Sequence, residues 1–164
     1  MASVQKLTSC LWFDGQAEAA ARFYVSVFKN AKLGRISHYP NEGQDVHQQP
    51  EGKVLVVEFE IEGQKFIGLN GGPQFKLSEA VSFVVNCETQ AEIDYFWDKL
   101  GGDGGEPGPC GWLKDKFGLS WQVAPAMIGQ WISDPDKNKS ARVFAAVMKM
   151  GKLDIAELQR AYAG

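Results

Sequence analysis

The sequence predicts an α+β fold: paired βαβββ modules forming a half-open eight-stranded cup, with a C-terminal helical tail. Three observations predict it. Thr8 to Gly15 alternates like a strand and runs straight into an amphipathic pattern from Gln16 to Asn30. A second copy of that strand–helix pattern begins at Ala80, an offset of seventy-two residues, and needs no gap. Phe66 to Pro73 and Gly118 to Pro125 echo each other at an offset of fifty-two, each a strand-like run ending at proline. A repeat this long implies duplicated supersecondary units and not a solenoid. The expected boundaries are 1–73 for the first module, 74–125 for the second and 126–164 for a helical extension.

Each element has its own signal. In the first strand Leu11 and Phe13 fall on one face and Thr8, Cys10 and Trp12 on the other. Gln16 to Phe28 carries the apolar stripe Ala17, Ala20, Ala21, Tyr24, Val27 and Phe28, with Gly15 or Asp14 as its expected cap. Leu33 to Tyr39 reads as a second strand, and Pro40 to Gly52 as a polar loop. Lys53 to Ile61 and Gln64 to Asn70 form a hairpin about Glu62-Gly63. Ala80 to Asn86 is the fifth strand. Thr89-Gln90-Ala91-Glu92 is a capping box opening the second helix, which Gly101-Gly102 stops. Asp103 to Pro109 leaves room for a short edge strand only. Gly111 to Lys116 and Leu119 to Ala124 form the last hairpin. Ser133-Asp134-Pro135 is expected to open a helix bearing Val143, Phe144, Val147 and Met148 on one side. Asp154-Ile155-Ala156-Glu157 opens another.

Composition narrows the function classes. The 164 residues are 45% apolar and 23% charged, ordinary for a globule that buries its own core. A net charge of -3 offers no basic face for nucleic acid or anionic lipid. No run approaches the ~20 apolar residues of a membrane span. Met1 to Lys6 lacks the layout of a secretory leader. Three widely spaced cysteines make no disulfide framework, so the expected location is the cytoplasm, with free thiols.

Pairing the two modules edge to edge would leave a concave inner face, a common place for a small ligand. The residues expected to line it are Thr8, Cys10 and Trp12 from the first strand, Ser82 from the fifth, Asn70 and Gln122 from the module-closing strands, and Trp112. Cys10 lacks a facing base to make it a nucleophile. His38 and His47 are too few and too far apart for a metal centre. Glu58 and Glu60 read as a solvated edge, Trp121 as core, and Cys87 and Cys110 as structural and loop residues. The run Gly101-Gly102-Asp103-Gly104-Gly105 leaves a helix, whereas a nucleotide-binding glycine loop enters one.

Several stretches carry a family likeness. Cys10-Leu11-Trp12-Phe13-Asp14-Gly15, Phe23-Tyr24, Leu69-Asn70-Gly71-Gly72-Pro73, the run Cys110 to Gln122, and the tail segments Ala141 to Met150 and Leu153 to Ala163 resemble the PhnB-like family. That family, once labelled 3-demethylubiquinone-9 3-methyltransferase, belongs to the vicinal oxygen chelate superfamily of glyoxalases, bleomycin-resistance proteins and dioxygenases. The resemblance implies that fold and, with the Val143–Met148 stripe, a homodimer. It also implies a divalent metal held by His and Glu on the first, fourth, fifth and eighth strands. Those places here carry Thr8, Asn70, Ala80 and Gln122. Neutral amides and hydroxyls are poor ligands for transition metals. The expectation is therefore a small-molecule-binding protein with no tightly bound metal and no cofactor. An enzyme is the alternative: either a metal-dependent lyase, isomerase or dioxygenase with His38 or Glu58 as unexpected ligands, or one acting without metal through Cys10. The methyltransferase label has no strand–glycine loop–helix unit to support it.

Overall fold

A computed structural model describes residues 4–164; the leader reading at Met1–Lys6 falls partly outside them. The chain forms two compact units, one ending at Leu77 and one spanning Ser78–Gly164. The first holds β1 (Ser9–Phe13), α1 (Ala17–Val27), β2 (Ala31–His38), α2 (Gln44–His47), β3 (Val54–Ile61) and β4 (Gln64–Asn70). The second holds β5 (Ser82–Cys87), α3 (Gln90–Gly101), β6 (Glu106–Pro107), β7 (Trp112–Lys114) and β8 (Ser120–Pro125). It continues into α4 (Ile128–Ile132), α5 (Lys137–Val147) and α6 (Ile155–Ala163).

The two sheets share one topology, β1-β4-β3-β2 and β5-β8-β7-β6. In each, the first strand lies parallel to the last and the other pairs are antiparallel. The duplication is therefore a repeat of pairing as well as of residue class.

Helix α1 forms because its alanines let it settle close on the sheet. Ala17, Ala20, Ala21 and Tyr24 are wholly buried. Gly68 of β4 lies directly beneath: a Cβ there would stand 3.3 Å from Ala17 Cβ. Tyr24 reaches the Phe59 ring at 6.0 Å, and Phe59 stacks on Phe66 at 5.3 Å. Burying each such side chain contributes about 1.5–3 kcal/mol. The expected caps Gly15 and Asp14 do not serve. Gln16 is the N-cap residue and its side chain makes no capping bond. Asn70 Oδ1, from the end of β4, accepts the Ala17 N–H instead, at 2.9 Å.

In the second unit the Thr89–Glu92 capping box is closed in both directions. The helical tail packs on its own unit: Trp131, Val143, Val147, Leu153 and Leu158 cluster with Ala124 of β8. Two expectations shift here. Helix α5 begins after Asp136, whose carboxylate accepts from Asn138 and Lys139 N–H, and not at Ser133-Asp134-Pro135. Asp134 spends its side chain on a tight turn, accepting the Asp136 N–H at 2.8 Å. Helix α4 was not foreseen, because Gly129 and the β-branched Ile128 and Ile132 are weak helix formers and burial of Trp131 holds the turn.

Candidate functional site

Helix α1 covers one face of the first sheet and leaves the other free of helices; α3 covers one face of the second, and the tail packs at Ala124, at the end of β8 on the opposite face. In the first unit Leu11, Phe13, Val57, Phe59, Ile61 and Phe66 are buried on the helix side. Strand alternation sends their neighbours the other way. Cross-strand register then lays out the free face in rows: Cys10, Ile67 and Glu58; Trp12, Leu69 and Val56; Lys65, Glu60 and Lys32. A hollow of about 440 Å³ opens on it, with Thr8, Arg35, Glu58, Glu60, Lys65 and Ile67 among its lining.

Its bed is charged. Arg35 forks onto Glu58, with Nη2 to Oε1 at 2.8 Å and Nε to Oε2 at 3.1 Å. Lys32 Nζ lies 3.6 Å from Glu60 Oε1. The hydrogen bond from Arg35, helped by its charge, holds the Glu58 carboxyl below the usual carboxylate range. Glu58 and Glu60 thus line the hollow from an inner strand and not from an edge, while Arg35, 87% exposed, keeps the Glu58 pair in contact with solvent. The alternation Val56, Glu58, Glu60 against Lys32 and Arg35 was the available signal.

The predicted lining residues divide. Thr8 and Cys10 are exposed on the free face. Partial desolvation raises the Cys10 thiol above its ordinary value, which favours thiol over thiolate. Trp12 is half-buried and fixed: its Nε1–H donates to Gly72 O at 2.8 Å and its ring meets Phe75 edge-on at 4.8 Å. Gly71 lies flat against the indole, where a Cβ would come within 2.2 Å.

Asn70 does not face the hollow. It is 2% exposed on the helix side, with Nδ2 donating to Val54 O at 3.0 Å and Oδ1 capping α1. The cause is register. Trp12 pairs with Leu69 and Phe13 with Asn70, whereas Val84 pairs with Gln122 and Val85 with Val123. The partner of Gln122 in the first module is therefore Leu69. The echo between the closing strands is one residue longer than the sequence suggested, and a one-residue slip exchanges the faces.

In the second unit Ser82, Trp112 and Gln122 share the face opposite α3, and Gln122 Nε2 donates to Ser82 Oγ at 3.0 Å. Ala80 lies exposed in the turn before β5. Trp121 turns to the core beside Phe83. Its Nε1–H donates to Asp115 Oδ2 at 2.9 Å, and Asp115 Oδ1 also accepts from Phe117 and Leu119 N–H. Sequence reasoning missed Asp115 as the knot of this hairpin. Its signal was Asp115-Lys116-Phe117-Gly118, a turn in which Asp bonds the backbone two residues on. Cys87 is buried, which pushes its thiol up to about 12. His38 is exposed at the end of β2. His47 is not simply solvated: it is half-buried against Tyr39, ring centroids 4.7 Å apart, and its Nδ1 accepts the Gln49 N–H.

The superfamily's metal does not fit these residues. Thr8 and Asn70 occupy opposite faces of one sheet, so they cannot share an ion. The Asn70 amide is spent on backbone groups, and the Gln122 amide is engaged with Ser82. Among the described residues no group of three or more His, Cys, Asp or Glu is placed to hold a metal ion. The glycine run 101–105 closes α3 and leads into β6, so it cradles no phosphate at a helix start. Among the described residues no helix is long and apolar enough to cross a membrane.

Similarity to known proteins agrees with this architecture. A family model described as 3-demethylubiquinone-9 3-methyltransferase matches residues 5–124. The PhnB protein of Bacillus cereus is 35% identical, with a TM-score of 0.62, over 74% of this chain and 100% of that one. A Pseudomonas aeruginosa protein at 17% identity shares the fold, with a TM-score of 0.59 over 75% of this chain and 98% of its own. No curated protein matches the chain. With its paired βαβββ modules and C-terminal helices, the chain has the glyoxalase/bleomycin resistance/dioxygenase fold and belongs to the PhnB-like family, the one that carries the 3-demethylubiquinone-9 3-methyltransferase description.

Proposed function

We propose that this PhnB-like protein binds a small molecule on the helix-free face of its first sheet, without a tightly held metal or cofactor. The observation that carries this is the hollow of about 440 Å³ bedded on Arg35, Glu58, Glu60 and Lys65. Its size falls in the range of ligand sites, roughly 300–1,000 Å³. Charges of both signs suit a polar ligand held by orientation more than by net charge. The donor chemistry at the superfamily's metal places supports the metal-free part. The proposed setting is the cytoplasm and the proposed assembly a homodimer.

The alternative, a metal-dependent lyase, isomerase or dioxygenase, has less support, since His38 stands outside the hollow's lining and Glu58 is already claimed by Arg35. Metal-free catalysis through Cys10 meets a thiol whose ionisation is disfavoured. Native mass spectrometry of the gently purified chain, followed by a thermal-shift panel of polar metabolites, tests the binding reading. A retained or stabilising small molecule, lost in an Arg35→Ala, Lys65→Ala double variant, is the expected result. A chain that retains nothing and responds to none of the panel overturns it.

A further inference from the structure

Ser120 Oγ is the buried side-chain oxygen that, among the described residues, has no hydrogen-bond partner. The residue is 1% exposed. It pairs across β8 with Lys114 on one side and Ser82 on the other, so it shares the face opposite α3 with Gln122 while Trp121 turns to the core. Its neighbours are engaged: Gln122 with Ser82 at 3.0 Å, and Lys114 Nζ with Glu79 at 2.6 Å. A buried hydroxyl left unmet costs free energy that a bound group recovers.

Beside it lies a hollow of about 200 Å³, lined by Glu79, Glu106, Pro107, Trp112, Lys114 and Ser120 among others. A single water needs only about 10–15 Å³ by the same measure. The groups offered are mixed. Ser120 has one O–H and two lone pairs, Lys114 keeps N–H groups beyond the one given to Glu79, and the exposed Glu106 carboxylate on β6 lies close enough to Lys114 to feel its charge. An anion would meet Glu79 and Glu106, and a second cation would meet Lys114. A hydroxyl both donates and accepts, so it answers all three groups. The Trp112 indole and the Pro107 ring supply the carbon walls that the C–H side of such a molecule needs.

We propose that this hollow in the second module is a subsite for a neutral polyol, with one hydroxyl on Ser120 Oγ and Lys114 Nζ and a neighbouring hydroxyl on Glu106. It does not rest on the hollow of the first module, and the two stand or fall separately. The test is an NMR titration of the full chain, read at the Trp112 indole N–H and the Ser120 amide. Erythritol probes for a free small polyol and glucose for a pyranose ring. Ethanolamine and lactate are the charged comparisons. The expected result is saturable shifts with erythritol or glucose, binding about tenfold weaker in Ser120→Ala, and weaker binding also in Glu106→Ala, an exposed edge-strand change. Ligand-free Ser120→Ala should melt no lower than wild type, because the group it deletes has no partner. No shift with either polyol, equal binding by Ser120→Ala, or a preference for ethanolamine or lactate overturns the proposal. So does a lower melting point for ligand-free Ser120→Ala, which would mean that a structural water already satisfies the hydroxyl.

Discussion

Asn70 shows how much one side chain decides. Its amide joins the start of α1 to β4 and β3, bonding Ala17 N–H and Val54 O from a buried position. Asn70→Ala would leave both backbone groups unmet, so a loss of about 2–4 kcal/mol is expected in urea unfolding. If Asn70 served a ligand instead, stability would hardly change. Asp115 does parallel work, answering two backbone N–H groups and the Trp121 indole. The exposed ion pairs set a pH response. Hydrogen bonds from Lys152 and Gln90 hold Asp94 below the usual carboxylate range, and the bond from Tyr162 does the same for Asp134. A carboxyl lowered in the folded state adds stability that is complete above its ordinary value and lost as pH falls through the lowered one. Asp94→Asn should therefore melt slightly below wild type at neutral pH, and the two curves should converge in acid. A gap that widened in acid would reverse the sign argued here.

At the scale of elements, the clearest prediction concerns α3. Thr89 accepts the Glu92 N–H at 3.2 Å while Glu92 Oε2 accepts the Glu88 and Thr89 N–H groups. Thr89→Ala should cost about 1 kcal/mol, measured by thermal unfolding. This helix was legible from the sequence because its start signal is local, four consecutive residues. The α1 stripe was legible for the same reason, and all six of its predicted residues are buried. The α1 cap was not, because its acceptor comes from Asn70, far along the chain and on another strand. The face of Asn70 was lost with it: a match by residue class cannot resolve a shift of one, and a strand reverses its faces at every residue. The bed of the first hollow was half legible. The acids alternated plainly, but their partners Lys32 and Arg35 meet them only through β2–β3 pairing, which carries register shifts. Helix α4 went unseen because burial, not propensity, holds it.

At the scale of the molecule, the tail is only partly explained by its own unit. Val143 and Val147 are buried there, but Phe144 and Met148, expected on the same stripe, are 53% and 56% exposed. We infer that these two side chains belong to the proposed homodimer contact. Light scattering should give twice the chain mass for wild type and a single chain mass for a Phe144→Glu, Met148→Glu variant. A monomeric wild type, or a dimer indifferent to both charges, would remove this inference. The larger claim is that the family fold here keeps a ligand-sized hollow while two of the residues at its superfamily's metal places, Asn70 and Gln122, have other tasks and the other two, Thr8 and Ala80, offer no metal-binding group. Elemental analysis of the dialysed chain, produced in medium supplied with zinc, nickel, manganese and iron, tests it most directly. The account predicts far less than one equivalent of any of them; one equivalent per chain surviving dialysis would contradict it.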